Sequence, residues 1–219
     1  MDYFIDTNVA LAFSFFPDKF HDSSKEFIIN AVEDIYWSEN IRAEYDKKFL
    51  EVYDNIEQFS NKIIFALENY QGVFINKRSF ESFVLRNSTE INIDETKKIR
   101  LISIFWDCVI FGFLKEHPEF YNSFIEYSLE VPDTFEANKD FLINRLSFYD
   151  CGKDNYKKYS GLLNSLIEIG VHNSDYKIIL DAHDFAKDNF TVFVSTDKKF
   201  LNKVMNFQGL NVNEYKLLN

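Results

Sequence analysis

Residues 3–13 read YFIDTNVALAF. Tyr3–Phe4–Ile5 is a short apolar run that stops at the polar turn Asp6–Thr7–Asn8, and residues 9–16 then read as the first turns of a helix. A buried strand that delivers an acid to a helix start is predicted. Further along, Ile35–Tyr36–Trp37 is a second short strand, and Ser38 caps a long helix with Ile41, Tyr45, Phe49 and Val52 on one stripe. Between the two, Phe27, Ile28, Ala31 and Val32 recur at helical spacing over residues 25–34, behind Ser23 or Ser24 as N-cap. Near the other end, Ser174 caps a helix from 175 to about 187, with Ile178, Ile179, Ala182 and Phe185 inward. Residues 190–195 form a strand, 197–206 a helix and 210–215 an edge strand. Strands and helices alternating at both ends imply an α/β sandwich on a parallel sheet, with a ligand crevice outside the carboxyl ends of the strands.

From about residue 60 to 170, helix follows helix. Residues 94–116 carry Ile99, Ile102, Trp106, Val109 and Phe113 at 3-4 spacing, and residues 153–170 form another helix. Pro118 and Pro132 punctuate the connections. With no repeat period and no low-complexity linker, residues 1–219 are expected to form one domain. Its core would come from 1–60 and 171–219, with a helical insertion at about 61–170.

The 219 residues are 46% apolar and 27% charged, a globular balance, and 25 Phe against 6 Gly and 3 Pro favours long helices. Cys108 and Cys151 are too few for a disulfide framework or a thiolate cluster. Asp2 and Asp6 stand where a signal peptide would place its basic and apolar regions. The most apolar stretch, 99–114, is broken by Arg100 and Asp107 and is too short to span a bilayer. A soluble, cytoplasmic protein without membrane contact is expected. The net charge of −11 has the wrong sign for holding nucleic acid by bulk electrostatics. Residues 1–60 carry 5 basic and 13 acidic side chains, whereas residues 171–219 carry 6 of each. Bound divalent cations or a basic partner would offset the acidic end.

Asp6 and Asp197 follow apolar β-like runs, so both belong at the carboxyl edge of the sheet. Glu44 lies on the second turn of the helix after Ser38, and Asp175 opens a helix behind Ser174. Four acids at strand ends and helix starts can converge on one point. Like charges there raise one another's pKa, a cost that a divalent cation removes. Mg²⁺ or Mn²⁺ prefers oxygen ligands and keeps several waters. Such an ion makes a better nucleophile of its water and stabilises charge on a phosphodiester. Each acid also has an ordinary explanation: Asp6, Asp175 and Asp197 stabilise helix starts, and Glu44 is one solvated charge among many. Their joint placement favours the chemical reading.

These segments resemble the PIN-domain nuclease family. YFIDTNVALAF is similar to the family's opening strand ending in Asp-Thr-Asn. YWSENIRAEYDKKF at 36–49 resembles its second motif and places the helical acid at Glu44. SDYKIILDAHDFAKDNFTVFVSTDKKFL at 174–201 resembles the third and fourth motifs, with Asp175, Ile178, Ala182, Ser195 and Asp197 at the matching positions. The resemblance covers 1–60 and 171–219. It implies a three-layer α/β/α sandwich, PIN-like, with an all-helical insertion. The implied activity is Mg²⁺- or Mn²⁺-dependent cleavage of RNA by Asp6, Glu44, Asp175 and Asp197, which would hold the metal. Asn8 and Ser195 would orient the acids, and Lys198 and Lys199 would hold substrate phosphates. A toxin of a toxin–antitoxin pair, with an antitoxin protein as partner, is one form of this expectation; homodimers are compatible with it.

Two departures stand out. The distance from Glu44 to Asp175 is far longer than in compact PIN toxins, and the third motif carries Leu180–Asp181–Ala182 in place of a small-residue run. Asp181 lies about 240° round the helix from Asp175, so it is expected to point elsewhere, at the surface. Lys47, Lys48 and Lys203 are further candidate phosphate contacts. Lys153, Lys157 and Lys158 read as a solvated face of the insertion. His21, His117, His172 and His183 share no ligand spacing, and Cys151–Gly152 reads as a turn. The alternative function is a catalytically inactive PIN-like scaffold that binds RNA or protein. Phosphotransfer domains of the haloacid-dehalogenase or response-regulator kind also place acids at strand ends. The first needs Asp-x-Asp where this chain has Asp6–Thr7–Asn8, and the second needs an acceptor Asp after a third strand, where the chain reads as helix.

Overall fold

The opening residues form β1 (Asp2–Ile5), with Phe4 and Ile5 fully buried. The computed structural model describes residues 1–110 and 117–219. β1 pairs in parallel with β2 (Ile35–Ser38) on one side and β4 (Thr191–Ser195) on the other. β3 (Ser147–Tyr149) extends the sheet beyond β2, and β5 (Glu214–Leu217) extends it beyond β4, both in parallel. The order is β3-β2-β1-β4-β5. All five residues of β4 are buried, as expected of a central parallel strand covered on both faces, whereas edge strand β5 alternates exposed and half-buried positions. The fold is therefore α/β on a five-stranded parallel sheet, consistent with a three-layer sandwich. From β1 the chain winds to one side through β2 and β3, then returns to the other side of β1 as β4. That reversal between β1 and β4 is where a parallel sheet opens a crevice at the carboxyl ends of its strands.

The described residues form two compact units. The first comprises residues 1–16, 20–48 and 139–219 and holds the whole sheet. Its helices include α1 (Thr7–Ser14), α2 (His21–Asn30), and, after the segment contributed to the second unit, α7 (Ser160–Glu168), α8 (Asn173–Phe185) and α9 (Lys198–Met205). Numbered between them, α3 (Glu39–Glu68) and α6 (His117–Arg145) carry the chain out of this unit and back. The second unit comprises residues 17–19 and 49–138 and contains α4 (Lys77–Asn87) and α5 (Glu95–Phe105). Its core is aromatic, which accounts for much of the Phe content. Phe74, Phe80, Phe83, Phe105, Phe120 and Phe124 are all buried. The ring of Phe80 stands 4.9 Å from those of Phe74 and Phe120, edge to face in both cases.

Several local expectations are corrected. α2 begins four residues before residue 25, because the His21 ring bonds to Ala12 O at 3.0 Å and fixes the first turn there. Ser23 bonds back to Phe20 O and Ser24 is buried, so neither caps the helix; Val32, expected inward, is 95% exposed. Residues 147–149, expected within a helical insertion, form β3. Residues 153–170 are a 3-10 turn, Asn155–Tyr159, followed by α7 rather than one helix. α8 begins at Asn173, so Ser174 lies inside it and does not cap it. The edge strand is shifted to Glu214–Leu217. α5 ends at Phe105 and passes into a π-helical turn, Trp106–Ile110; the Phe113 position of the expected stripe lies outside the described residues. Pro132 does not punctuate a connection but lies within α6. A proline there costs about 3 kcal/mol, and burial of Val131 and Phe135 beside it contributes a similar amount at about 1.5–3 kcal/mol each. Pro118 stands at the second residue of α6, where no intrahelical bond is lost.

Candidate active site

Asp6 leaves β1 at the reversal point, its N–H donating to Val194 O at 2.9 Å, and its side chain caps α1. The carboxylate is buried. Oδ2 accepts from Ser195 Oγ at 2.6 Å and from Asn8 Nδ2 at 3.3 Å, while Oδ1 accepts a long bond from Asn8 N at 3.5 Å. Ser195, at the end of β4, in turn accepts from Asp197 N at 2.9 Å. The Ser195 proton is thereby committed to Asp6, and the two strand ends are tied across the crevice.

Asp197 caps α9, its Oδ1 accepting from Lys199 N (2.8 Å) and Phe200 N (3.0 Å). Glu44 occupies the second turn of α3. Its Oε2 accepts from Thr7 Oγ1 at 2.9 Å, and its Oε1 lies 2.8 Å from Lys48 Nζ. Asp175 is in the first turn of α8, half-buried, with Ser174 Oγ 3.5 Å from its Oδ1.

Electrostatics join the four acids. Burial pushes the Asp6 carboxyl up to about 6, the charges of Asp175 and Glu44 add to the rise, and the Ser195 and Asn8 bonds oppose it. Asp175 is likewise raised, first by burial and then by Glu44 and Asp197, against the partial compensation of His172 and Lys48. Burial is thus the main cost at Asp6 and Asp175, with the neighbouring acids adding to it. Among the described residues, however, no group of three or more His, Cys, Asp or Glu side chains is arranged to hold a metal ion. The donor set is all oxygen, and Mg²⁺ commonly takes only one or two carboxylates and completes its shell with water. The chemistry of the set fits such an ion; a closed protein cage is not formed.

The other sequence candidates divide clearly. Asn8 and Ser195 both donate to Asp6. Lys198 and Lys199 are exposed on the first turn of α9 beside Asp197. Lys203 is spent on Gly170 O at 2.6 Å, and Lys47 is exposed. Asp181 does point away from Asp175, but it is not at the surface. It is fully buried, bonded to Asn40 Nδ2 (3.0 Å) and Asn155 Nδ2 (3.2 Å), because residues 150–159 fold back over that face of α8. The pairings of Thr7 and Lys48 with Glu44 escaped the sequence reading. The Glu44–Lys48 spacing of i,i+4 was a usable signal; the Thr7 contact spans 37 positions and had none.

No family model, no curated protein and no solved structure matches this chain. Among the described residues, no helix is long and apolar enough to cross a membrane.

Proposed function

We propose that the chain is a metal-dependent nuclease of the PIN type that hydrolyses RNA phosphodiester bonds. The observation that carries this reading is the buried carboxylate of Asp6 at the switch point of the sheet, bonded to Ser195 at the end of the neighbouring strand and raised in pKa first by burial and also by Asp175 and Glu44. Asp6, Asp175, Asp197 and Glu44 would hold a Mg²⁺ or Mn²⁺ ion. When bound, that ion supplies an activated water and stabilises charge on the phosphodiester. The chain's own groups prepare the place. Ser195 and Asn8 fix the Asp6 carboxylate and leave most of Oδ1 available. Thr7 and Lys48 orient Glu44 from its two sides. Lys198 and Lys199 stand at the crevice rim, where a substrate backbone would pass. A cytoplasmic toxin meeting a basic antitoxin at the acidic amino-terminal segment is one setting for such an enzyme.

The second reading is an inactive PIN-like scaffold. In its favour, Lys48 already occupies one oxygen of Glu44, and among the described residues no three-ligand group is gathered. Incubating the purified protein with labelled single-stranded RNA and Mg²⁺ or Mn²⁺ separates the two. The nuclease reading requires cleavage that EDTA and Asp6→Asn abolish. Intact RNA with either metal favours the scaffold, and activity that survives Asp6→Asn, Glu44→Gln and Asp197→Asn overturns the site.

A further inference from the structure

Asp175 is followed directly by Tyr176 on α8, and the two side chains serve different surroundings. Asp175 is coupled to Glu44 and Asp197, whereas the Tyr176 ring packs against Tyr156, centroids 5.8 Å apart and planes at 50°. Both rings are half-exposed. Lys177 Nζ lies 5.1 Å from the centre of the Tyr156 ring, and Lys157 Nζ lies 5.9 Å from it. We propose that the Asn155–Tyr159 turn and the start of α8 form a stacking platform for the unpaired bases of single-stranded RNA beside the acid crevice. The proposal rests on the nuclease reading and adds to it the path of the strand.

Three features support the platform. The turn is anchored to α8 on both sides of Tyr156. Asn155 donates to buried Asp181, Tyr159 donates to Asp184 Oδ1, and Tyr149 holds the other oxygen of Asp184 at 3.0 Å. None of these anchors uses the Tyr156 ring, so the turn that carries it is held in place without consuming the ring itself, as a preorganised contact requires. The turn also carries a run of basic side chains. Residues 153–158 carry Lys153, Lys157 and Lys158 against Asp154 alone, with Lys177 alongside, in a protein of net charge −11. Lys157 is paired with Asp154 at 2.8 Å and Lys153 with Glu39 at 3.5 Å, whereas Lys177 has no carboxylate within ion-pair distance among the described residues. Finally, rings interleaved with flexible ammonium groups suit a single strand, because a duplex keeps its base faces stacked inside. The lysines cover the ring face in the free protein and can swing to phosphates when a base takes their place.

The test is equilibrium binding of the full-length chain to a fluorescein-labelled oligouridine 12-mer, read by anisotropy in EDTA so that no cleavage intervenes. Stacking on one aromatic side chain is worth about 1–3 kcal/mol, so Tyr156→Leu and Tyr176→Leu should each weaken binding about 5- to 150-fold. Tyr156→Phe should retain it. Lys177→Gln should lower the slope of log affinity against log salt by about 0.7, the value for one single-strand phosphate contact. An abasic strand of equal length should bind wild type weakly and be indifferent to Tyr156→Leu; this comparison on wild type stands even if a variant fails to fold. The platform is overturned if the abasic strand or a duplex binds wild type as tightly as oligouridine, if Tyr156→Leu binds oligouridine like wild type, or if wild type does not bind it. Metal-dependent cleavage lost in Asp6→Asn, together with unaltered binding by Tyr156→Leu, removes the platform and leaves the nuclease. Tyr156-dependent binding without cleavage does the reverse.

Discussion

Ser195 Oγ lies 2.6 Å from Asp6 Oδ2, a bond between residues 189 positions apart that joins the ends of β4 and β1. Among the described residues it is the shortest hydrogen bond to the buried carboxylate and the one that most opposes the rise of its pKa. In Ser195→Ala the carboxylate loses that donor, and Asp197 N–H loses its acceptor. The expected cost is about 1–3 kcal/mol of stability for a buried group left short of a partner. Loss of an outer-shell hydrogen bond also weakens metal binding about 10- to 100-fold. Urea denaturation and Mn²⁺ titration of the variant check both.

The position of Asp6 fixes the sign of a pH effect. Its folded pKa, about 6, lies above the ordinary 3.8. Below about pH 4 the carboxyl is protonated in both states and costs nothing. Between about 4 and 6 the unfolded chain releases its proton first, so folding stability falls as pH rises, reaching a penalty of about 3 kcal/mol that persists above pH 6. Asp6→Asn removes the penalty. In metal-free buffer the variant should therefore gain stability relative to wild type from pH 4 to 7, followed by thermal melting. A constant difference across that range contradicts the assignment of the buried charge.

Thr7 should act through Glu44. Thr7→Val keeps the shape of a fully buried side chain and deletes the bond to Oε2. A stability loss of about 0.5–1.5 kcal/mol is expected. Cleavage should suffer more than stability, with kcat falling and KM little changed, and Thr7→Ser should restore it.

Lys48 is a tethered cation on an oxygen that a metal ion would use. Lys48→Met should tighten Mn²⁺ binding several-fold by calorimetry, and at low ionic strength more than at high, because the pair is partly exposed and screened by salt. Unchanged or weaker Mn²⁺ binding would place Glu44 outside the metal's reach.

Asp181 is expected to be structural. Asp181→Ala strands Asn40 and Asn155 and should cost about 1–3 kcal/mol. Mn²⁺ affinity at the acid crevice should be retained, as measured on the folded variant below its melting temperature.

The strands that could be read were those with uninterrupted apolar runs. Phe4–Ile5 and Val192–Phe193–Val194 are buried on both faces of the sheet, and such runs carry their own signal. β3 carried none, because its three residues are half-exposed or exposed and its partner, β2, lies more than a hundred positions away. The start of α2 is not legible locally, because a tertiary bond from His21 outweighs the capping preference of Ser23 and Ser24. Asp6 and Asp197 were legible as acids following strands. Their relation through Ser195 follows from the pairing of β1 with β4, which local periodicity does not encode. Asp181 shows the same limit: helical geometry gave its direction, but its burial depends on a turn some 26 positions away.

The central claim is that one divalent cation is held at the Asp6 crevice. Anomalous difference density from a Mn²⁺-soaked crystal tests it most directly. The expected result is a single strong peak at about 2.0–2.6 Å from an oxygen of Asp6 and from at least one oxygen of Asp175, Asp197 or Glu44, absent in Asp6→Asn. Density elsewhere, or none at a Mn²⁺ concentration that supports RNA cleavage, would contradict it.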